Sequence, residues 1–229
     1  MRTIGMLGGM SWESTAEYYR LANELVRDRL GGVHSARVLL DSMDFADMER
    51  LQSAGRWEEA GDLLAAKASR LEAAGAELLV LCTNTMHIVV EAIEQAVEIP
   101  VLHILDATST RIRQEGLRRV GVLGTAFTME QDFYRDRLAA SGVEAMVPGQ
   151  DDRATVHRII YEELVRGVVT EASRAQYREI IDRLVAGGAE GIVLGCTEIE
   201  LLVSARDSSV PVFPTTRIHV EAAVEMALS

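Results

Sequence analysis

Two thiols, Cys82 and Cys196, and the hydroxyl and amide residues beside them are the groups of this chain best suited to moving a proton. Leu81-Cys82-Thr83-Asn84-Thr85-Met86-His87 follows the apolar run Glu77–Leu81, and Gly195-Cys196-Thr197-Glu198 follows Gly191–Leu194. A thiol with an ordinary pKa of ~8.5 ionises far more readily than a hydroxyl, so it is the natural base or nucleophile. Cys196 follows Gly195, which lets a ligand approach the backbone closely. It also precedes Thr197-Glu198-Ile199, expected to form the first turn of a helix. Free N–H groups and the helix dipole at such a place lower a thiol's pKa towards the range useful for proton abstraction. Cys82 can be read as a nucleophile or as a small buried hydrophobe.

Other polar clusters suit ligand binding. Gly8-Gly9-Met10-Ser11-Trp12-Glu13-Ser14-Thr15 follows a strand-like run and opens a helix, which suits a carboxylate or phosphate. It is not the dinucleotide fingerprint G-x-G-x-x-G. Thr125-Ala126-Phe127-Thr128 offers hydroxyls at a corresponding place, and Asn84 and Thr85 can donate to a carboxylate. His87 and His103 lie near strand ends without metal-site spacing. His87 is expected to pack or to make a hydrogen bond, and Glu162-Glu163 to be a solvated helix face.

These residues need strands to hold them. Apolar runs at Thr3–Leu7, Arg37–Leu40, Leu78–Leu81, Val101–Ile104, Arg119–Leu123, Val143–Val147, Gly191–Leu194 and Val210–Phe213 are mostly continuous, as in parallel strands covered on both faces. Between them, Trp57–Ala74, Asp151–Arg166 and Glu171–Ala186 carry helical periodicity. The alternation predicts an α/β architecture with right-handed crossovers.

The two halves repeat one another. Ile4-Gly5-Met6-Leu7-Gly8 matches Val120-Gly121-Val122-Leu123-Gly124, and Tyr18-Tyr19-Arg20 matches Phe133-Tyr134-Arg135. Gly75-Ala76-Glu77 with Val80-Leu81 matches Gly188-Ala189-Glu190 with Val193-Leu194, and Ile99-Pro100-Val101 matches Val210-Pro211-Val212. The offsets are about 110 to 116 residues. We therefore expect two pseudo-symmetric lobes, each a parallel sheet flanked by helices, with the active site in the cleft between them. The expected boundaries are 1–104 and 105–214, with Leu105–Gly116 joining the lobes and a C-terminal helix, 215–229, packing on the first. In this register Cys82 pairs with Gly195, Thr83 with Cys196 and Asn84 with Thr197. Side chains alternate along a strand, so Cys82 should point away from the side that Thr83 faces.

Composition removes several classes of function. A net charge of −12 disfavours nucleic acid and anionic membrane as partners. No apolar run approaches the ~20 residues of a membrane span, and the N-terminus does not resemble a signal peptide. Two cysteines make no disulfide framework, so a cytoplasmic protein is expected.

Four motifs, Gly5-Met6-Leu7-Gly8-Gly9-Met10-Ser11-Trp12-Glu13-Ser14-Thr15, Thr83–His87, Leu123–Arg135 and Gly195–Glu200, together resemble the aspartate/glutamate racemase family over essentially the whole chain. The resemblance implies a small amino acid or dicarboxylate as substrate, no pyridoxal phosphate, no metal and a homodimer. It implies two bases flanking the substrate Cα, usually two cysteines, at positions that fall here on Thr83 and Cys196. Met10, Gln52, Asn84, Thr85, Thr128 and Thr197 fall where such proteins hold the substrate. Gln52, expected in the loop after the second strand, replaces a cation that many relatives use for the distal carboxylate. Threonine in place of one thiol implies a racemase biased towards proton removal from the L-enantiomer. Two alternatives remain at this point: a related decarboxylase or cis–trans isomerase, and a non-catalytic amino-acid-binding protein.

Overall fold

The computed structural model describes all 229 residues. Each of the eight apolar runs overlaps a strand: β1 (Ile4–Gly8), β2 (Val38–Ser42), β3 (Leu78–Leu81), β4 (Val101–Leu102), β5 (Arg119–Gly124), β6 (Glu144–Met146), β7 (Gly191–Gly195) and β8 (Val212–Pro214). They form two four-stranded parallel sheets, ordered β2-β1-β3-β4 and β6-β5-β7-β8. The repeated blocks thus occupy equivalent strands. Helices α1 (Trp12–Leu30), α2 (Phe45–Ser53), α3 (Trp57–Ala73), α4 (Val90–Ala96) and α5 (Ile104–Gln114) come first in the chain. They are followed by α6 (Ala126–Glu130), α7 (Asp132–Ala140), α8 (Gln150–Glu162), α9 (Glu171–Ala186) and α10 (Thr215–Leu228).

The chain divides into two compact units, residues 1–104 with 216–229, and residues 105–215. In the first unit, Ile4, Met6, Leu78, Val80 and Cys82 are buried with Tyr18 and Leu21 of α1 and with Val220, Val224 and Ala227 of α10. The other side buries Leu7, Leu79 and Leu81 with Leu64, Ala68 and Leu71, the periodic face of α3. In the second unit, Leu123, Ile192 and Leu194 meet Val156, Ile159 and Ile160 of α8 and Tyr177, Ile180 and Ile181 of α9. Full burial of each such aliphatic side chain contributes roughly 1.5–3 kcal/mol, which explains why continuous apolar runs became interior strands.

Differences from the sequence expectation have local causes. β4 ends at Leu102 rather than Ile104, because His103 is buried and Ile104 already begins α5. β8 begins after Pro211, which has no N–H for a ladder, although its carbonyl accepts from Ile192. The helix expected over Asp151–Arg166 breaks after Glu162, and Leu164–Arg166 forms a 3₁₀ turn ended by left-handed Gly167. The connecting segment Leu105–Gly116 is largely helical, with Leu105 and Ile112 buried.

In each sheet the order reverses between the first and third strands of its unit. Open parallel sheets bind ligands beyond the strand ends at that switch point. The loops there follow β1 and β3 in the first unit, and β5 and β7 in the second.

Candidate active site

In the first unit, β3 stops at Leu81 and Cys82 makes the last ladder bond, its N–H donating to the Leu7 carbonyl at 2.9 Å. The Cys82 side chain is wholly buried in the apolar layer beneath α1 and α10, and burial pushes its thiol far above the ordinary range. It has neither exposure nor a stabilised thiolate. Thr83, one residue on, is half-buried instead. Asn84 is buried, Thr85 is half-buried, and Thr85–Val89 form a 3₁₀ helix. His87 turns back so that Nδ1 lies 2.9 Å from the Thr83 carbonyl.

The loop after β1 is held by its own hydroxyls. Ser11 caps α1 by accepting from the Ser14 N–H, while Thr15 accepts from the Gly9 N–H and donates to the Ser11 carbonyl, both at 2.8 Å. The Gly9 N–H and Ser11 oxygen, expected to serve an anion, are therefore engaged in building the turn. Gly9 has φ 87°, and a Cβ there would lie 2.2 Å from the Met43 carbonyl oxygen. Only glycine lets these backbones meet so closely. Met10 is buried against Met48 and Met86 in the α3-side core. Gln52 lies within α2, not in a loop, and its Nε2 approaches Met86 Sδ at 2.9 Å. The turn that opens α2 takes up the segment after β2: Asp44 caps the helix by accepting from the Ala46 N–H.

In the second unit, the threonines after β5 repeat that capping. The Thr128 N–H donates to Thr125 Oγ1 at 3.4 Å, and Thr128 is buried in α6 rather than lying in a loop. A Cβ on Gly195 would come 3.1 Å from Thr128 Cγ2 and 3.2 Å from the Tyr134 hydroxyl. Thr128 and Tyr134 thus border the residue that precedes Cys196. Cys196 and Thr197 are half-buried at the end of β7. Thr197–Leu201 form a 3₁₀ helix with Cys196 at its N-cap.

The thiol donates to Glu198 Oε2 at 2.9 Å. Its pKa is raised, not lowered as the sequence suggested. Burial of the sulfur is the larger cause, and the Glu198 carboxylate adds to it, outweighing the opposing backbone N–H. A five-residue 3₁₀ turn with an acid in its first turn is a weak anion site. Tyr134 and Tyr177 are likewise pushed up, first by burial and then by the nearby Cys196. Sequence reasoning assigned no role to Glu198 or these tyrosines, although the acid two residues from the thiol was visible in the motif. Among the described residues no cluster of three His, Cys, Asp or Glu side chains is arranged for a metal, and no helix is long and apolar enough to cross a membrane. Glu163 accepts from Ser173 at the start of α9 and pairs with Arg158, a structural tie rather than a solvated face.

Two parallel four-stranded sheets of the same strand order, each with a hydroxyl-capped turn after its first strand, make a two-lobed α/β fold. The family pattern of Asp/Glu/hydantoin racemases matches residues 7–223, and the chain belongs to that family. It is similar to the crystal structure of a proposed Asp/Glu racemase from Yersinia pestis, with 53% identity, a TM-score of 0.96 and full coverage of both chains. An aspartate racemase homologue from Pyrococcus horikoshii OT3 is 35% identical, with a TM-score of 0.89 and full coverage of both. A broad specificity amino-acid racemase of Bacillus subtilis is 23% identical over 71% of this chain and 70% of its own length.

Proposed function

We propose that this chain is a cofactor-independent amino-acid racemase acting on aspartate, glutamate or a wider set, with Cys196 and Thr83 serving the two faces of the substrate Cα. The observation that carries the proposal is the Cys196 thiol, half-buried at the end of β7 and hydrogen-bonded to a carboxylate at 2.9 Å. As Glu198 takes the thiol proton, the sulfur takes the α-hydrogen of the L-enantiomer, leaving a carbanion conjugated with the substrate carboxylate. A proton returned from the Thr83 side, from its hydroxyl or a water held by it, gives the D-enantiomer, and the alkoxide or hydroxide left behind is neutralised by solvent as Glu198 gives up the thiol proton to water. Protonation by the Cys196 thiol instead regenerates the L-form. Threonine is a poor base, so proton removal from the D-form is disfavoured and the enzyme is biased towards L.

Asn84, Thr85, Thr128 and Thr197 are neutral donors suited to the substrate carboxylate as negative charge spreads onto it. Met10 and Gln52 are assigned to the far end of the substrate. An amide there tolerates carboxylate and neutral side chains alike, which supports the wider substrate range. Cytoplasmic location and a homodimer belong to the same proposal.

Incubation with L- and D-aspartate, glutamate and several neutral amino acids in D₂O tests it. Solvent deuterium at Cα, with inversion, is expected, and Cys196→Ser should lower exchange on the order of 100-fold or more. Full exchange in Cys196→Ser sinks the assignment. Binding without exchange indicates a non-catalytic protein, and loss of CO₂ a decarboxylase.

A further inference from the structure

The racemase proposal leaves unused a group of buried histidines in the first unit: His87, His103 and His219, each at most 4% exposed. Burying an imidazole costs more than burying a hydrocarbon unless both ring nitrogens are satisfied. The partners of His87 fix what the ring does. The Ile104 backbone N–H can only donate, and it lies 3.3 Å from Nε2. The Thr83 carbonyl can only accept, and it lies 2.9 Å from Nδ1. The proton is therefore on Nδ1, the ring is neutral, and it joins the Thr83 backbone to the start of α5. Burial, with His103 and His219 next in effect, holds its pKa well below the ordinary value, so the ring stays neutral.

Thr83 needs such a support. The ladder of β3 has ended, and the first backbone bond of the following 3₁₀ helix runs from the His87 N–H to the Asn84 carbonyl. The imidazole takes the Thr83 carbonyl that an α-helical continuation would have used. Neighbouring rings hold the imidazole in turn. His103 lies 4.5 Å and His219 5.8 Å away between ring centroids. His219 is itself fixed at both ends, Nδ1 by the Tyr18 hydroxyl and Nε2 by the Leu102 carbonyl, each at 2.8 Å.

We propose that His87 is a positioning residue for Thr83: its Nδ1–H holds the Thr83 carbonyl and so sets where the Thr83 side chain, or a water on it, delivers the proton. The inference rests on the racemase reading. A displacement of about 1 Å can cost on the order of 100-fold in rate, and the step at risk is delivery from the Thr83 side, not removal by Cys196.

The test is the ratio of inverted to retained product when the L-substrate exchanges its α-hydrogen in D₂O. Partial unfolding lowers both products together and does not move the ratio. In His87→Leu the ratio should fall on the order of 10- to 100-fold. His87→Asn, whose side-chain N–H can donate to the same carbonyl, should restore it to within a few-fold. An unchanged ratio in His87→Leu, or an equal fall in His87→Asn, overturns the positioning role while leaving the racemase reading intact. Wild-type protein that exchanges only with retention also overturns it, because Thr83 then delivers no proton. Wild-type protein that exchanges no tested amino acid overturns the racemase reading and this inference with it.

Discussion

A base made from a thiol beside a carboxylate differs from one made at a long helix N-terminus. Here burial and Glu198 both favour the protonated form of Cys196, so in the proposed mechanism the proton must have somewhere to go when the sulfur acts. Glu198, already its acceptor, supplies that place. A like charge raises a thiol pKa, so removing it lowers the pKa. Glu198→Gln should therefore shift the alkylation-versus-pH profile of Cys196 to lower pH. Cys82 should not interfere, being wholly buried with its thiol pushed up. A shift to higher pH would mean that Glu198 does not act through its charge. If Thr83 acts as proposed, Thr83→Cys supplies a competent base there. Exchange from the D-enantiomer should rise on the order of 10-fold or more, read as deuterium incorporation into D-substrate, and the two enantiomers should become more equal.

At the scale of the element, the turns after β1 and β5 are alike in using hydroxyls to cap the next helix. In the first of them the backbone of Gly9 approaches Met43 so closely that no side chain fits. Gly9→Ala forces the loop away and places alanine at φ 87°, which should cost about 1–3 kcal/mol. Chemical denaturation measures this directly, and an unchanged midpoint would mean that the turn relaxes freely. The same turn shows why the sequence left two readings of the loop open. Gly, Ser and Thr before a helix signal an anion site and a self-capped turn equally well, and only the Thr15 hydrogen bonds separate the two.

At the scale of the whole molecule, the chain returns to its first unit at the end. α10 brings His219 into the α1 and β4 layers and completes a core with Val220, Val224 and Ala227. His219 is held neutral, its pKa lowered from 6.5 to about 4, first by burial. Above 6.5 neither the folded nor the unfolded form protonates it, and its contribution to stability is fully present. As pH falls from 6.5 to about 4, the unfolded chain binds a proton that the folded protein refuses, and stability is lost. The loss from this residue is about 3 kcal/mol, and the depressed His87 acts in the same direction. Denaturant midpoints measured from pH 7 to pH 4 should fall, and more gently in His219→Leu. An equal slope in that variant would remove His219 from the cause.

Read alone, the sequence determined the parallel α/β class, the positions of the eight strands to within a few residues and the different surroundings of Cys82 and Thr83, because apolar runs, their repetition and strand alternation are written in the chain itself. Thr83 follows Cys82 by one residue, and period two alone sends them to different surroundings. What the sequence left open depended on neighbours distant in the chain. Only the tertiary structure decided that Cys196 is held as a thiol, since a pKa follows from the burial and charge around a group rather than from its motif. It also put Gln52 inside a helix, locked the β1 loop by Thr15, and brought His87, His103 and His219 together from positions as far apart as the 3₁₀ helix after β3 and α10.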